Sequence, residues 1–368
     1  MTYKSSTLPF YAKASIFFVG LSALLAILYV AQSIILPLIF SFIIAILLNP
    51  VVNFFVRIRI NRVVAIIITM LLTIIIIAAF GAFIYTQAVN FSDSWPLFVK
   101  KFTVIVNQTI SYASGYLNIQ PQIIHAWIAK TEHELINIDG SSIGQTIISV
   151  GSTVAALVLI PVYTFVILYY KPLLNEFIHR LFSEEHQSQI GVIVTQTKSV
   201  IQHYLVGLIF EAIIVGTLNT MGLLLLGIQY AILLGVLGAL LNMIPYIGGI
   251  IAVALFMMVA LVTKSSAWFA VYVFGVHTFI QVIDNDFIVP KIVASKVKIN
   301  ALFSILVVLV GNALWGVPGM FLSLPLLAIV KVIFDHIDSM KPWGFLLGDT
   351  MPSILKLKRI YKKRTVDS

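Results

Sequence analysis

Glu211, Asp284 and Asp286 are the three carboxylates set in apolar sequence; the other eleven of the fourteen acids fall in loops, tails or helix ends. A carboxylate is costly at membrane depth, so each is by default a functional candidate. Asp284 and Asp286 flank Asn285 in Gln281-Val-Ile-Asp-Asn-Asp-Phe-Ile-Val-Pro-Lys291, at the end of a long apolar run. Two neighbouring carboxylates do not both ionise cheaply, which suits proton exchange or cation binding. Pro290 is expected to break the helix just beyond them. On a regular helix the two aspartates point ~200° apart. One is therefore expected to bind while the other pairs with Lys291 or Lys296; the bland alternative holds both as a helix-end pair on those lysines. Glu211 lies in Leu208-Ile-Phe-Glu-Ala-Ile-Ile214 without a polar neighbour. That suits carriage of a proton, or a hydrogen bond to a neighbouring helix or subunit. His277, two helical turns before Asp284 on the same face, is a candidate relay or a packing histidine. Asn242, Asn312 and Asn219 are intramembrane amides, suited to a polyol-like solute or to holding helices together.

The elements that position these groups follow from composition. The chain is 60% hydrophobic and 10% charged, against about 25% charged in soluble domains. It reads as an all-α polytopic membrane protein. No cysteine is present, which excludes disulfide and thiol chemistry. The net charge of +9 is topological: no basic face alternates with stacking aromatics, so nucleic acid is excluded as a partner. No HExxH or Gly-x-Ser-x-Gly motif occurs, and the expected class is a non-enzyme without cofactor or resident metal. Glu184-Glu185-His186 reads as a solvated face.

Runs at 14–31, 34–56 and 63–85 are each long enough to span, making residues 1–85 a three-span bundle. Arg57, Arg59 and Arg62 between the second and third place that loop, and with it the N-terminus, in the cytoplasm. Residues 86–142 carry mixed charge and form an extracytoplasmic helical insert, either an amphipathic surface helix or a cap on the spans. Residues 143–204 hold a fourth span, kinked at Pro161, and a cytoplasmic amphipathic linker. Residues 205–335 form the transport core, and 336–368 a basic tail with six Lys/Arg in Lys356–Arg364. That tail is expected on anionic headgroups at the cytoplasmic face.

Within the core, apolar stretches at 230–242 and 250–262 are too short to span and are interrupted by Pro245, Gly248 and Gly249. The design recurs at 301–314 and 320–333, around Gly316, Pro318 and Gly319. Both are read as broken or re-entrant helical hairpins, their tips the candidate gates, giving six to eight membrane segments in all. Such backbone is tolerated in a membrane only when buried in protein or facing a wet cavity. As hairpins they leave only Lys100, Lys101, Lys130 and Lys264 outside among 23 Lys/Arg, as the positive-inside rule favours. Two opposed broken segments point to a transport site.

At Asn242-Met-Ile-Pro-Tyr-Ile-Gly-Gly249, Asp284-Asn285 with Pro290-Lys291, Gly316-Val-Pro-Gly319, Pro325 and Lys331, the chain resembles the autoinducer-2 exporter family of bacterial membrane proteins. The resemblance covers most of the chain. It implies a multi-pass permease of the bacterial inner membrane that forms homo-oligomers, with a pentamer as the candidate assembly. It further implies export of a small polar signal such as autoinducer-2, or exchange of a cation for protons. A passive oligomeric pore is the rival. The family often has His-Pro where this chain has Asn300-Ala301, and Gly-Gly where it has Gly311-Asn312; these departures bear on substrate identity more than on fold.

Overall fold

Runs rich in Ile, Leu and Val become long helices in the computed structural model, which describes residues 9–92, 94–117, 151–182, 187–245, 247–293 and 299–350. In chain order these are α1 (Phe10–Val30), α2 (Gln32–Arg57), α3 (Arg62–Ser92), α4 (Trp95–Leu117), α5 (Gly151–Leu181) and α6 (Gln187–Leu225). There follow α7 (Ala231–Asn242), α8 (Ile247–Thr263), α9 (Trp268–Ile283) with a π-helical continuation Asp284–Val293, α10 (Ala301–His336), and α11 (Lys341–Leu347). Six of them, α1, α2, α3, α5, α6 and α10, are long and apolar enough to cross a membrane. No strand occurs among the described residues. The all-α polytopic fold is thus as expected. Glu184-Glu185-His186, Lys296, Lys298, residues 118–142 of the insert, residues 143–150 of the expected fourth span and the tail from 351 lie outside the described residues.

Two boundaries differ from the sequence expectation. The fourth span runs on through Pro161 and Pro172 to Leu181 as one helix. What read as a separate linker is shared between the end of α5 and the start of α6, itself 39 residues and about 58 Å long. Polar, helix-forming residues simply extend both helices past the ~30 Å apolar layer. The described part of the insert, α4, buries Phe98, Val99 and Thr103 and packs on α8 and α3. Phe91, Phe98 and Tyr230 meet edge-on or tilted, and the Ser94 and Tyr230 hydroxyls lie 2.9 Å apart. This described part packs on the spans, as a cap would.

The arms α7 and α8 have 12 and 17 residues. They run antiparallel: Phe256 lies under Gly238, and the Leu241 carbonyl lies against Gly248. A Cβ at Gly248 would sit 1.7 Å from that oxygen, so only glycine lets the arms close. Leu234, Phe256, Val259 and Val273 fill the core between this hairpin, α6 and α9.

Although α10 is continuous by hydrogen bonding, it is also two arms. Gly316 adopts φ 62°, ψ −141°, a region open essentially to glycine alone. The Ser323 hydroxyl donates to the Val307 carbonyl at 2.9 Å, and a Cβ at Gly311 would lie 2.5 Å from the Gly319 oxygen. Sixteen residues of straight helix would separate the first pair by about 24 Å, so the chain has folded back on itself. Leu322 on the returning arm packs with Ile43 of α2 and with Ile201 and Leu205 of α6.

Candidate functional site: a carboxylate pair at the first hairpin tip

α6 and α9 lie side by side in opposite directions. Positions eight apart on α6, Glu211 and Asn219, therefore meet positions seven apart on the neighbouring helix, His277 of α9 and Asp284 at the start of its π-helical continuation. The result is two polar rungs about 11 Å apart along the helices. The upper rung joins His277 Nδ1 to Asn219 Oδ1 at 3.2 Å. The Phe256 ring lies edge-on to the imidazole, with centroids 5.4 Å apart.

The lower rung has a third member. Asn242 is the last residue of α7, so the hairpin tip delivers its amide between the two acids. Its Nδ2 donates to Glu211 Oε1 at 3.1 Å and to Asp284 Oδ2 at 2.8 Å. Gln281 Nε2 donates to Asn242 Oδ1 at 3.0 Å, which sets the amide orientation. An amide nitrogen carries two protons, and both are used on carboxylates. Glu211 is 6% and Asp284 2% exposed. Asp284 Oδ1, Asn219 Nδ2 and His277 Nε2 are buried without a partner among the described residues. Buried polar groups are ordinarily satisfied, so Asp284 Oδ1 and His277 Nε2 are open to a proton or another donor, and the Asn219 amide N–H to an acceptor such as water.

A cavity of about 550 Å³ opens on this cluster. Glu211, Asn242, His277, Gln281, Asp284 and Asn285 line it, as do Pro245 and Gly249 of the first tip. Leu324 is the lining residue from the second hairpin.

Several expectations change here. Pro290 does not break the helix: Asp284–Val293 winds as a π-helix that contains it. The wider turn relieves the clash of the proline ring with the preceding turn, and the missing N–H leaves the Asn285 carbonyl without its i+5 donor. π segments often mark functional positions. Asp286 is exposed and makes no ion pair among the described residues; Lys291 instead stands over the Phe287 ring, 5.6 Å from its centroid. Asp284 is thus the aspartate turned inward. Asn312 is exposed on the second hairpin and does not line the cavity. Gly316, Pro318 and Gly319 do not line it either; Trp315 beside them donates Nε1–H to the Leu28 carbonyl of α1 at 3.0 Å. Gly248 is buried and closes the first hairpin. Gln281 was missed, although it lies four residues after His277 and three before Asp284, on the same helical face. Among the described residues no cluster of three or more His, Asp or Glu could hold a metal ion.

A model of the AI-2E family of transporters matches residues 18–339. The protein named "Putative transport protein YhhT" of Escherichia coli K12 is 25% identical over 336 residues, covering 90% of this chain and 93% of that one. YueF of Bacillus subtilis, with the same transport name, is 24% identical over 314 residues, or 82% and 83%. The E. coli protein named "Putative permease PerM" is 24% identical over 237 residues, or 62% and 67%.

Proposed function

This chain belongs to the AI-2E family of transporters, multi-pass bacterial membrane proteins, and we propose that it is a secondary transporter whose coupling site is Glu211–Asn242–Asp284. The observation that carries this reading is the single amide nitrogen shared by two buried carboxylates from different helices. With both acids ionised, two negative charges face one neutral amide in a poorly solvated place. A proton or a monovalent cation held between them offsets the repulsion. Exchange of one for the other at the same oxygens is the elementary step of an antiporter. The α7 tip reports the exchange, because the bond that Asn242 donates to a carboxylate weakens when that carboxylate takes up a proton.

The cavity beside the acids supports a second cargo. His277, Gln281 and Asn285 present donors and acceptors to about 550 Å³, room for a small hydroxylated solute of the autoinducer-2 kind. In this reading the chain sits in the inner membrane as a homo-oligomer. Arg57, Arg59, Arg62 and both termini lie on the cytoplasmic side, and the first hairpin enters from the opposite face.

Reconstituted protein is expected to move protons against sodium, or a small polyol with protons, only when a gradient of either ion is imposed. Asp284→Asn should abolish the coupled flux and leave assembly intact. Glu211→Gln should retain flux with an altered pH profile. Flux indifferent to both gradients would instead favour the passive pore.

A further inference from the structure

A second cavity, of about 690 Å³, lies between α2, α5, α6 and the returning arm of α10. It shares no lining residue with the carboxylate site. Its wall is apolar along α2 from Leu38 to Ile46, and continues with Ile201, Leu326 and Ile329. Leu38 to Asn49 spans about 16 Å of helix, the scale of an acyl chain. One part of the wall is polar: Asn49, Lys171, Asn175, Thr197 and Lys198.

The charges there are unbalanced. Lys171 and Lys198 are both half-buried and line the same cavity, and Arg62 of α3 reaches the same helix as Lys171 at Leu168. Lys171 Nζ donates to Asn49 Oδ1 at 2.7 Å, and Arg62 Nη2 to the Leu168 carbonyl at 2.8 Å. Both acceptors are neutral. Among the described residues no carboxylate pairs with any of the three cations, and Glu176, on the same helix as Lys171, is held by Arg180. Clustered like charges at partial burial are costly unless an anion joins them.

We propose that this cavity holds an anionic phospholipid, its phosphate on Lys171 and Lys198 and an acyl chain along α2. A basic pocket between membrane helices is the physical form of such a site. The occupant is a lipid and not free phosphate, because most of the wall offers only apolar surface. Bound there, the lipid would bridge α2 and α5 to the returning arm of the second hairpin.

The full chain, stripped of lipid in detergent, is titrated with phosphatidylglycerol or phosphatidylcholine and followed by native mass spectrometry and thermal unfolding. Phosphatidylglycerol is expected to bind and to raise Tm more than phosphatidylcholine. Each lysine should be worth about fivefold in affinity, so Lys171→Gln with Lys198→Gln should weaken binding roughly 25-fold. The single Lys198→Gln variant, which keeps the Lys171–Asn49 bond, should lose about fivefold and gives a readout if the double variant fails to fold. Equal binding of both lipids overturns the proposal, as does an unchanged lipid preference in Lys198→Gln. Stabilisation reproduced by inorganic phosphate alone also overturns it. None of these readouts depends on transport.

Discussion

The two hairpins of the core share a design and differ in what their tips touch. Each has two short apolar arms, a tip with Gly and Pro, and a close backbone approach that only glycine allows. The first tip ends in Asn242, set between Glu211 and Asp284. The second ends beside Trp315, bonded to the Leu28 carbonyl of α1, and its interior hydroxyl, Ser323, is satisfied by Val307 and Gly319 carbonyls within the same hairpin. A broken membrane helix is therefore not a site in itself. It becomes one where the freed arm end meets charge on neighbouring helices; otherwise the same break makes a packing post.

The glycines give the sharpest way to test that difference. Gly248→Ala places a methyl 1.7 Å from the Leu241 oxygen, so the first hairpin must open and Asn242 must move. We expect loss of coupled flux together with a destabilisation of about 1–3 kcal/mol or more. A Cβ at Gly316 would meet nothing within 4 Å, and the cost of Gly316→Ala is conformational, about 1–3 kcal/mol. Its Tm should fall while flux per folded molecule stays near wild type. Paired measurements of Tm and proteoliposome flux separate the two; equal loss of flux in both variants would make the tips functionally equivalent.

Next in size is Asn242→Ala. It leaves Glu211, Asp284 and Gln281 each short of one partner. Leaving buried polar groups unpaired costs about 2 kcal/mol, or roughly 30-fold in apparent ion affinity. A concentration series for sodium or protons reads this directly. An unchanged apparent affinity would reduce Asn242 to a packing amide and remove the contrast between the tips.

Much of this arrangement could be read from the residues before the fold was seen. Long apolar runs become helices because nothing in them competes, and Gly–Pro interruptions of 10–14-residue stretches become tips because neither arm can span alone. Glu211, Asp284 and Asn242 were visible as polar groups in apolar surroundings. Their meeting was not, because it depends on the relative slide of α6 and α9, which no local pattern encodes. Gln281 was hidden by its ordinary chemistry, although its spacing from His277 and Asp284 marked it. The spacing of Asp284 and Asp286 already set them on opposite faces, and the structure turns Asp286 outward; Asn312 looked equivalent to Asn242 by residue type, and only the second hairpin's packing turned it outward. The behaviour of Pro290 was illegible for another reason: a proline demands relief of a clash, and a π turn supplies it as well as a break does.

The smallest expected effect belongs to Asn312→Ala. Its side chain is exposed, and substitutions away from packed or polar networks usually stay within about 0.5 kcal/mol. Apparent ion affinity should therefore change by no more than about twofold, measured in the same vesicles as Asn242→Ala. The two variants remove the same amide from corresponding places, one before each tip, so the difference between them isolates position from chemistry. A loss for Asn312→Ala as large as that for Asn242→Ala would mean that the second hairpin reaches the carboxylates at some stage of the cycle. The asymmetry would then belong to one conformation and not to the design.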